Sequence, residues 1–470
     1  MHTWLKRTAV AAGLLAASGT ALAAWGFDFG VFRDDLIEAK SVQLFGVIRG
    51  VAHSSGASID AATADADPTA LVSLARGLHA HVVASSTDLG ANIDMMELWP
   101  DDVHPTHLIA CNEQGTSQPG VQRINLQTGD VETIVTGTTS CDPIHRTAWG
   151  TIVFGEESGN SGQLVEMLDP LNTTGVVFDR VAGTFSGGIG AQNLATRWIM
   201  GRLSFEGVAI YPNGVAYYGD ENRPSHGTPG GAYFKFVPIN PWTGGAPITD
   251  LDDSPLFDGI VYGLRLGKRS GNTDYGQGTN TGRGTWISIG GYDTDLRVAA
   301  ASLKLTGYYR PEDLAIDQVA LANGDVRFCG NNTGNEENDI SYGETMCFTD
   351  GALVEAAANT AVPVVQYLVI GNPELAMMDN IAYQPGRGNW LIHEDGDGPG
   401  VGRNNDLWDC MDDGADDDLL SDGCIRVATL NDLNAEWTGG LFDASGRRFF
   451  VSVQHNVTGH GTILEINGWR

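Results

Sequence analysis

Short runs of alternating apolar and polar residues, broken by Gly, Asn, Asp and Pro, fill most of the chain and predict many antiparallel strands. The stretch from Phe205 to Asn222, FEGVAIYPNGVAYYGDEN, shows the plan in full. Val208 and Ile210 alternate before Pro212-Asn213-Gly214, and Val215 and Tyr217 alternate after it, so the segment predicts a hairpin closed by a tight turn. Glu206 and Asp220 each lie seven residues from Asn213, which brings Glu206, Asp220 and Glu221 together at the open end. With strands about 4.8 Å apart, these carboxylates oppose one another's ionisation unless a cation intervenes.

The same plan recurs in Pro311 to Asn332, Asp379 to Gly396 and Gly440 to His455, and Trp149 to Ser158 reads as the second half of another copy. Repeated strand units at irregular spacing predict an all-β fold, a β-propeller with long inserted loops. Helices are expected only around Asp67 to Gly77, Pro311 to Gln318 and Asp350 to Ala358. Hairpin ends in a propeller converge on one axis, so acids at those ends meet acids from other blades. The positions so collected are Asn112-Glu113, Cys141, Glu156-Glu157, Glu206, Asp220-Glu221, Arg310 with Glu312, Asn331-Asn332, Asp379-Asn380, Glu394-Asp395 and Gln454-His455. Most are oxygen donors suited to a hard cation such as Ca2+, and a thiolate beside them suits a transition metal. Arg310 is the one guanidinium in the set, and its planar fork matches a phosphate or carboxylate. Between Glu206 and Glu221, Asp220 is expected to face away, because adjacent strand residues point to opposite sides.

Charge narrows the partners. With 27 basic and 58 acidic residues the net charge is −31, which argues against nucleic acid and anionic membranes. Residues 1–23 read as a secretory signal peptide, with Lys6-Arg7, an apolar run from Ala9 to Ala17 and Ala21-Leu22-Ala23 as the cleavage site. Residues 24–470 then form one exported propeller domain, expected in the periplasm or outside the cell and as a monomer. Six cysteines in such a chain suggest disulfides. Cys329 with Cys347 and Cys410 with Cys424 are the expected local pairs, while Cys111 and Cys141 either pair or leave Cys141 as a thiolate ligand. The acidic loop Asp413 to Asp418 lacks the spacing and terminal Glu of a calcium hand and reads as solvated. There is no G-x-S-x-G elbow, no H-E-x-x-H and no phosphate-binding Walker loop.

Taken in order, IACNEQG, SCDPIHRTAWGTIVFGEE, FEGVAIYPNGVAYYGDE, GGAYFKFVP, RPEDLAID with the following Asn-Asn, DNIAYQPGRGNWLIHEDG and the final SVQH resemble the PhoX-type alkaline phosphatases over nearly the whole chain. The resemblance implies a central iron and calcium cluster that hydrolyses small phosphate esters. By it, Cys141 is an iron ligand; Glu113, Glu157, Glu206, Glu221, Glu312 and Asp379 are metal-binding carboxylates; and Arg310 and Asn332 bind the substrate, with Arg310 and Glu312 the catalytic pair. The implied cofactors are Ca2+ and Fe3+. This chain departs from the pattern in having no histidine between Asn112 and Glu113 and no twin arginine in its leader. Two other functions remain compatible with the motifs: a calcium-dependent propeller lactonase or esterase, and a non-catalytic module stiffened by calcium.

Overall fold

The alternating runs form strands and the Gly- and Pro-containing breaks between them form turns. In the computed structural model, described for residues 35–222, 230–267, 280–334, 342–396, 402–414 and 419–470, the strands build six radial blades around a central axis. The innermost strands, in blade order, are Ile93–Trp99, Cys141–Arg146, Phe205–Ile210, Pro311–Ile316, Met378–Tyr383 and Glu436–Phe442. Each contacts the next, and the sixth contacts the first, so the ring is closed. Closure is sealed in blade six, where His79–Ser86 pairs antiparallel with Gly461–Asn467 as the outermost strand. Joining an early strand to the last one leaves the ring without a free seam.

Two blades share strands with a neighbour. Gly282–Ser288 pairs both with Gly259–Leu266 of blade three and with Val364–Ile370 of blade four, fusing the two into one nine-stranded sheet. Val176–Asp179, which follows the third strand of blade two, instead adds in parallel to Val131–Thr136 of blade one. The apolar faces of adjacent sheets pack into separate cores, with Trp149, Phe205, Tyr218 and Phe234 in one, Tyr217, Phe328 and Phe348 in the next, and Trp437, Phe449 and Leu464 in a third.

Of the expected helices, Leu353–Ala357 is one, whereas Asp67 to Gly77 holds only the 3-10 turn Pro68–Leu71 before a strand. Pro311–Ile316 is a strand, the innermost of blade four. Burial on all sides within the ring overrides its helix-compatible composition. The cysteine pairs Cys329–Cys347 and Cys410–Cys424 form the expected disulfides. The leader at residues 1–23 and part of the acidic loop, 415–418, lie outside the described residues. Among the described residues, no helix is long and apolar enough to cross a membrane.

Candidate metal centre on the propeller axis

All six innermost strands carry a β-bulge at the same place. Pairing slips between Ile93 and Met96, Cys141 and Ile144, Phe205 and Val208, Pro311 and Leu314, Met378 and Ile381, and Thr438 and Leu441. Two residues of the inner strand therefore oppose one of its partner, which bends the strand and re-aims its side chains. In five blades the first bulged residue is an acid: Asp94, Asp142, Glu206, Glu312 and Asp379. In the sixth it is Gly439, with φ +60°. Space is the reason for glycine elsewhere in the ring. At Gly207 a Cβ would sit 2.1 Å from the backbone nitrogen of Leu314 in the next blade.

The partner strands supply a second tier. In blades one to five the residue just past each hairpin's last pair donates its N–H to the carbonyl just before the inner strand: Glu113 to Asn92, Glu157 to Ser140, Glu221 to Ser204, Thr333 to Arg310 and Asp395 to Met377. Ser140, Arg310 and Met377 adopt positive φ to make this contact. The side chain that follows is thereby fixed at the axis, while the one before it turns away between sheets. Asp220 turns away as expected, paired with Arg297 at 2.9 Å.

These two tiers open into a cavity of about 350 Å³ lined by eight carboxylates, Asp94, Glu113, Glu157, Glu206, Glu221, Asp379, Asp395 and Glu436, together with Arg310, Gln454 and His455. Asp142, Glu157 and Glu206 bring ligand oxygens within 4.8 Å of one another, and so do Glu206, Glu312 and Asp379, so Glu206 belongs to both triads. Burial first, and neighbouring carboxylates second, hold Asp94, Glu157, Glu206, Asp379 and Glu436 well above the ordinary carboxylate range. For Asp142 burial dominates as well. Glu312 is pushed up to about 8, mainly by burial, with Arg310 acting against the rise. Asp395 is the exception: burial raises it, but a hydrogen bond from Glu436 and the charge of Arg310 leave it lowered overall.

Arg310 sits inside the ring, its Nε 2.8 Å from Glu221 Oε1 and 3.2 Å from Glu312 Oε1, and its Nη2 3.7 Å from Asp395. Thr333 donates its hydroxyl to Glu312 Oε1. The other oxygen of Glu312, Oε2, is buried without a hydrogen-bond partner among the described residues, and so are Asp142 Oδ1 and Asn380 Oδ1. Buried acceptors left unpaired are costly, and converging oxygens with no donors between them are the donor set of a hard cation. The residues present therefore fit Ca2+-type ions.

Of the residues expected at the site, Glu113, Glu157, Glu206, Glu221, Asp379 and Arg310 line this one cavity, and Glu312 joins them through its triad. Two do not. Cys141 is joined to Cys111 by a disulfide and buried in an apolar cluster, so it presents no thiolate to the axis. The sulfurs meet because Cys111 lies opposite the bulge of blade one and Cys141 begins the inner strand of blade two. Asn332 faces between blades, accepting from the Tyr233 hydroxyl at 3.1 Å and donating to Glu344 at 3.3 Å; its neighbour Thr333 takes the axial place. Asp94, Asp142 and Glu436 were not singled out from sequence. A signal existed for the first two, since an acid stands second in five of the six inner strands.

Comparison with known proteins adds to this geometry. The model of a family described as alkaline phosphatase PhoX matches residues 191–456. No curated protein matches the sequence. Among solved structures, PhoX of Pseudomonas fluorescens in complex with vanadate, a transition state analogue, is similar with a TM-score of 0.59 at 15% identity, covering 88% of this chain and 98% of that one. The PQQ-bound aldose sugar dehydrogenase of Streptomyces coelicolor is similar with a TM-score of 0.41 at 13% identity, covering 84% and 99%.

Proposed function

The chain belongs to the PhoX alkaline phosphatase family, whose model covers more than half of it, and on that premise we propose that the acidic cavity on the axis is the active site of a metal-dependent phosphomonoesterase. The observation that carries the reading is the charge imbalance of one cavity, in which eight carboxylates surround a single guanidinium. Cations there satisfy the buried acids, and Arg310 is left as the group that can hold a phosphate.

Glu206 is the shared ligand, with Asp142 and Glu157 on one side and Glu312 and Asp379 on the other. Glu113 and Glu221 complete the wall around them. When bound, Ca2+-type cations supply the positive charge that neutralises a phosphate ester and its transition state. Ferric iron, the second cation that the resemblance implies, would be held through oxygen alone, because Cys141 is in a disulfide.

Arg310 does the binding. Its Nε is tied to Glu221 and Glu312, which orients the guanidinium plane and leaves the terminal nitrogens to engage the phosphate oxygens. Thr333 orients Glu312 by donating to it, so both members of the pair are fixed before substrate arrives. The ligands come from one chain, and a monomer suffices. A small phosphate ester is the partner; a surface with a net charge of −31 repels nucleic acid and anionic lipid. Three disulfides suit the periplasm or the extracellular space, in accord with the leader. The direct test is hydrolysis of a chromogenic phosphomonoester. Turnover that disappears on Ca2+ chelation and returns when Ca2+ is restored supports the reading, whereas full turnover in excess chelator removes it.

A further inference from the structure

Three blades end their second strand with two consecutive acids: Glu156-Glu157, Asp220-Glu221 and Glu394-Asp395. The second acid of each pair lines the axial cavity. The first is buried behind it, and in all three blades an arginine from a separate loop or helix reaches both of its carboxylate oxygens. Arg180 Nε and Nη2 reach the two oxygens of Glu156 at 2.6 and 3.1 Å. Arg297 Nε lies 2.9 Å from both oxygens of Asp220, and its Nη2 donates to the backbone carbonyl of Glu221 itself. Arg403 Nη1 and Nη2 reach Glu394 at 2.5 and 2.8 Å.

The gripped acid also ties the hairpin shut. Glu156 accepts from the backbone N–H of Thr139 at 3.0 Å, Asp220 from Ser204 at 3.2 Å and Glu394 from Ala376 at 2.9 Å. Each of those donors lies within two residues of the start of the same blade's inner strand. The other three blades carry an amide at the equivalent place, Asn112, Asn332 and Gln454. No ion pair to an arginine is formed there, since an uncharged side chain needs none.

We infer that Arg180, Arg297 and Arg403 are positioning residues of the metal centre: each neutralises the rear acid of its pair and so fixes the direction of the front acid, Glu157, Glu221 or Asp395. The physical basis is that ligand orientation and ligand charge are set from behind. Without the arginine, the rear carboxylate would repel the front one and compete with it for a cation, and the strand end would lose its anchor. Partners that orient metal ligands in this way are worth about 10- to 100-fold in metal affinity. This inference rests on the reading of the cavity as a metal centre, but not on what the enzyme hydrolyses.

The test reads metal binding, not turnover. Ca2+ affinity of the chelator-stripped full chain is measured by competition with a fluorescent chelator, for the parent, R180A, R297A, R403A, R297K and R448A. Arg448 is the control, because it makes the same fork with Glu465, at 3.0 and 2.7 Å, away from the axis. Each of the three alanine variants is expected to bind Ca2+ about tenfold or more weakly, with R448A unchanged. R297K keeps the charge but has no second nitrogen to hold the Glu221 carbonyl while it pairs with Asp220, and is expected to fold and to bind with intermediate affinity, which covers the case of an alanine variant that does not fold. If R297K and the alanine variants bind Ca2+ as R448A does, the inference is overturned. A parent that binds Ca2+ tightly yet hydrolyses no phosphate ester overturns the proposed substrate and leaves the positioning role standing; a parent that binds no Ca2+ overturns both.

Discussion

The two ends of the central channel are built from the same six strands and behave in opposite ways. At the mouth, the first bulged residues of five blades present acids that face one another, and among them Asp142 Oδ1 and Glu312 Oε2 are buried without a hydrogen-bond partner among the described residues. At the far end a cavity of about 530 Å³ is lined by three of the six second bulged residues, Met95, Asp313 and Gly440, and by apolar side chains such as Ile144, Ile210 and Leu314. Acids occur there too, but each is answered locally. Glu97 accepts from the N–H of Leu98 at 3.0 Å and of Arg146 at 2.9 Å. Asp102 pairs with Arg146 at 2.8 Å, and Asp313 accepts from the N–H groups of Leu314 and Ile381. His145 is held neutral, its value lowered to about 4 chiefly by burial. An acid with its donors supplied by the fold is structural, and acids left to face one another need a cation. Unanswered charge, not charge as such, distinguishes the candidate metal-binding end.

The two ends are expected to differ most at Arg310. Replacing it with alanine is expected to lower kcat/KM for a phosphomonoester by about 10²–10³-fold, while Glu97→Gln at the other end leaves kcat/KM unchanged; equal losses in both would erase the distinction. Next in size is Cys141→Ser. Loss of a crosslink that closes a loop of 30 residues is expected to cost about 3 kcal/mol of unfolding free energy, read by denaturant titration, with the iron and calcium content of the protein unaltered. Loss of bound iron at unchanged stability would return Cys141 to the role of ligand.

Arg146→Ala leaves Asp102 at the far end without its partner and removes a 3.7 Å ion pair to Glu97, and a loss of about 1 kcal/mol in stability at unchanged kcat/KM is expected; a fall in kcat/KM at constant stability would connect the two ends. The last expectation concerns pH dependence. Glu312, with an ordinary value of 4.5, stands at about 8 in the folded chain, and Asp220, ordinarily 3.8, at about 7, both mainly through burial. The folded metal-free protein thus holds protons that the unfolded chain releases, so its stability is complete below the ordinary values and falls as pH rises through about 7 to 8. A Tm of the chelated protein that drops by several degrees between pH 5 and pH 8, and is flattened by Ca2+, is expected by differential scanning calorimetry. A rise over the same interval would reverse the sign and the account of the mouth.

The outward turn of Asp220 and the axial place of Glu221 were legible in the sequence, because alternation along a strand is a local rule. So were the hairpin from Phe205 to Asp220 and the gathering of Glu113, Glu157, Glu206, Asp379 and Arg310. Asp142 was hidden between Cys141 and Pro143, where nothing local distinguishes an axis-facing acid from a turn residue. Asn332 was misplaced by one position, since the choice between it and Thr333 depends on where the ladder ends. Cys141 carried two compatible chemistries, and the distance to Cys111 decides between them.

Strands, turns, the all-β class and the sign of the site's charge follow from residue-level periodicity, backbone preference and counting. The six blades, the bulge at one height in every inner strand, and the choice of which acids are answered by an arginine from elsewhere in the chain emerge only on folding. Those are properties of register and of contacts between distant segments, and neither is encoded in any short stretch of residues.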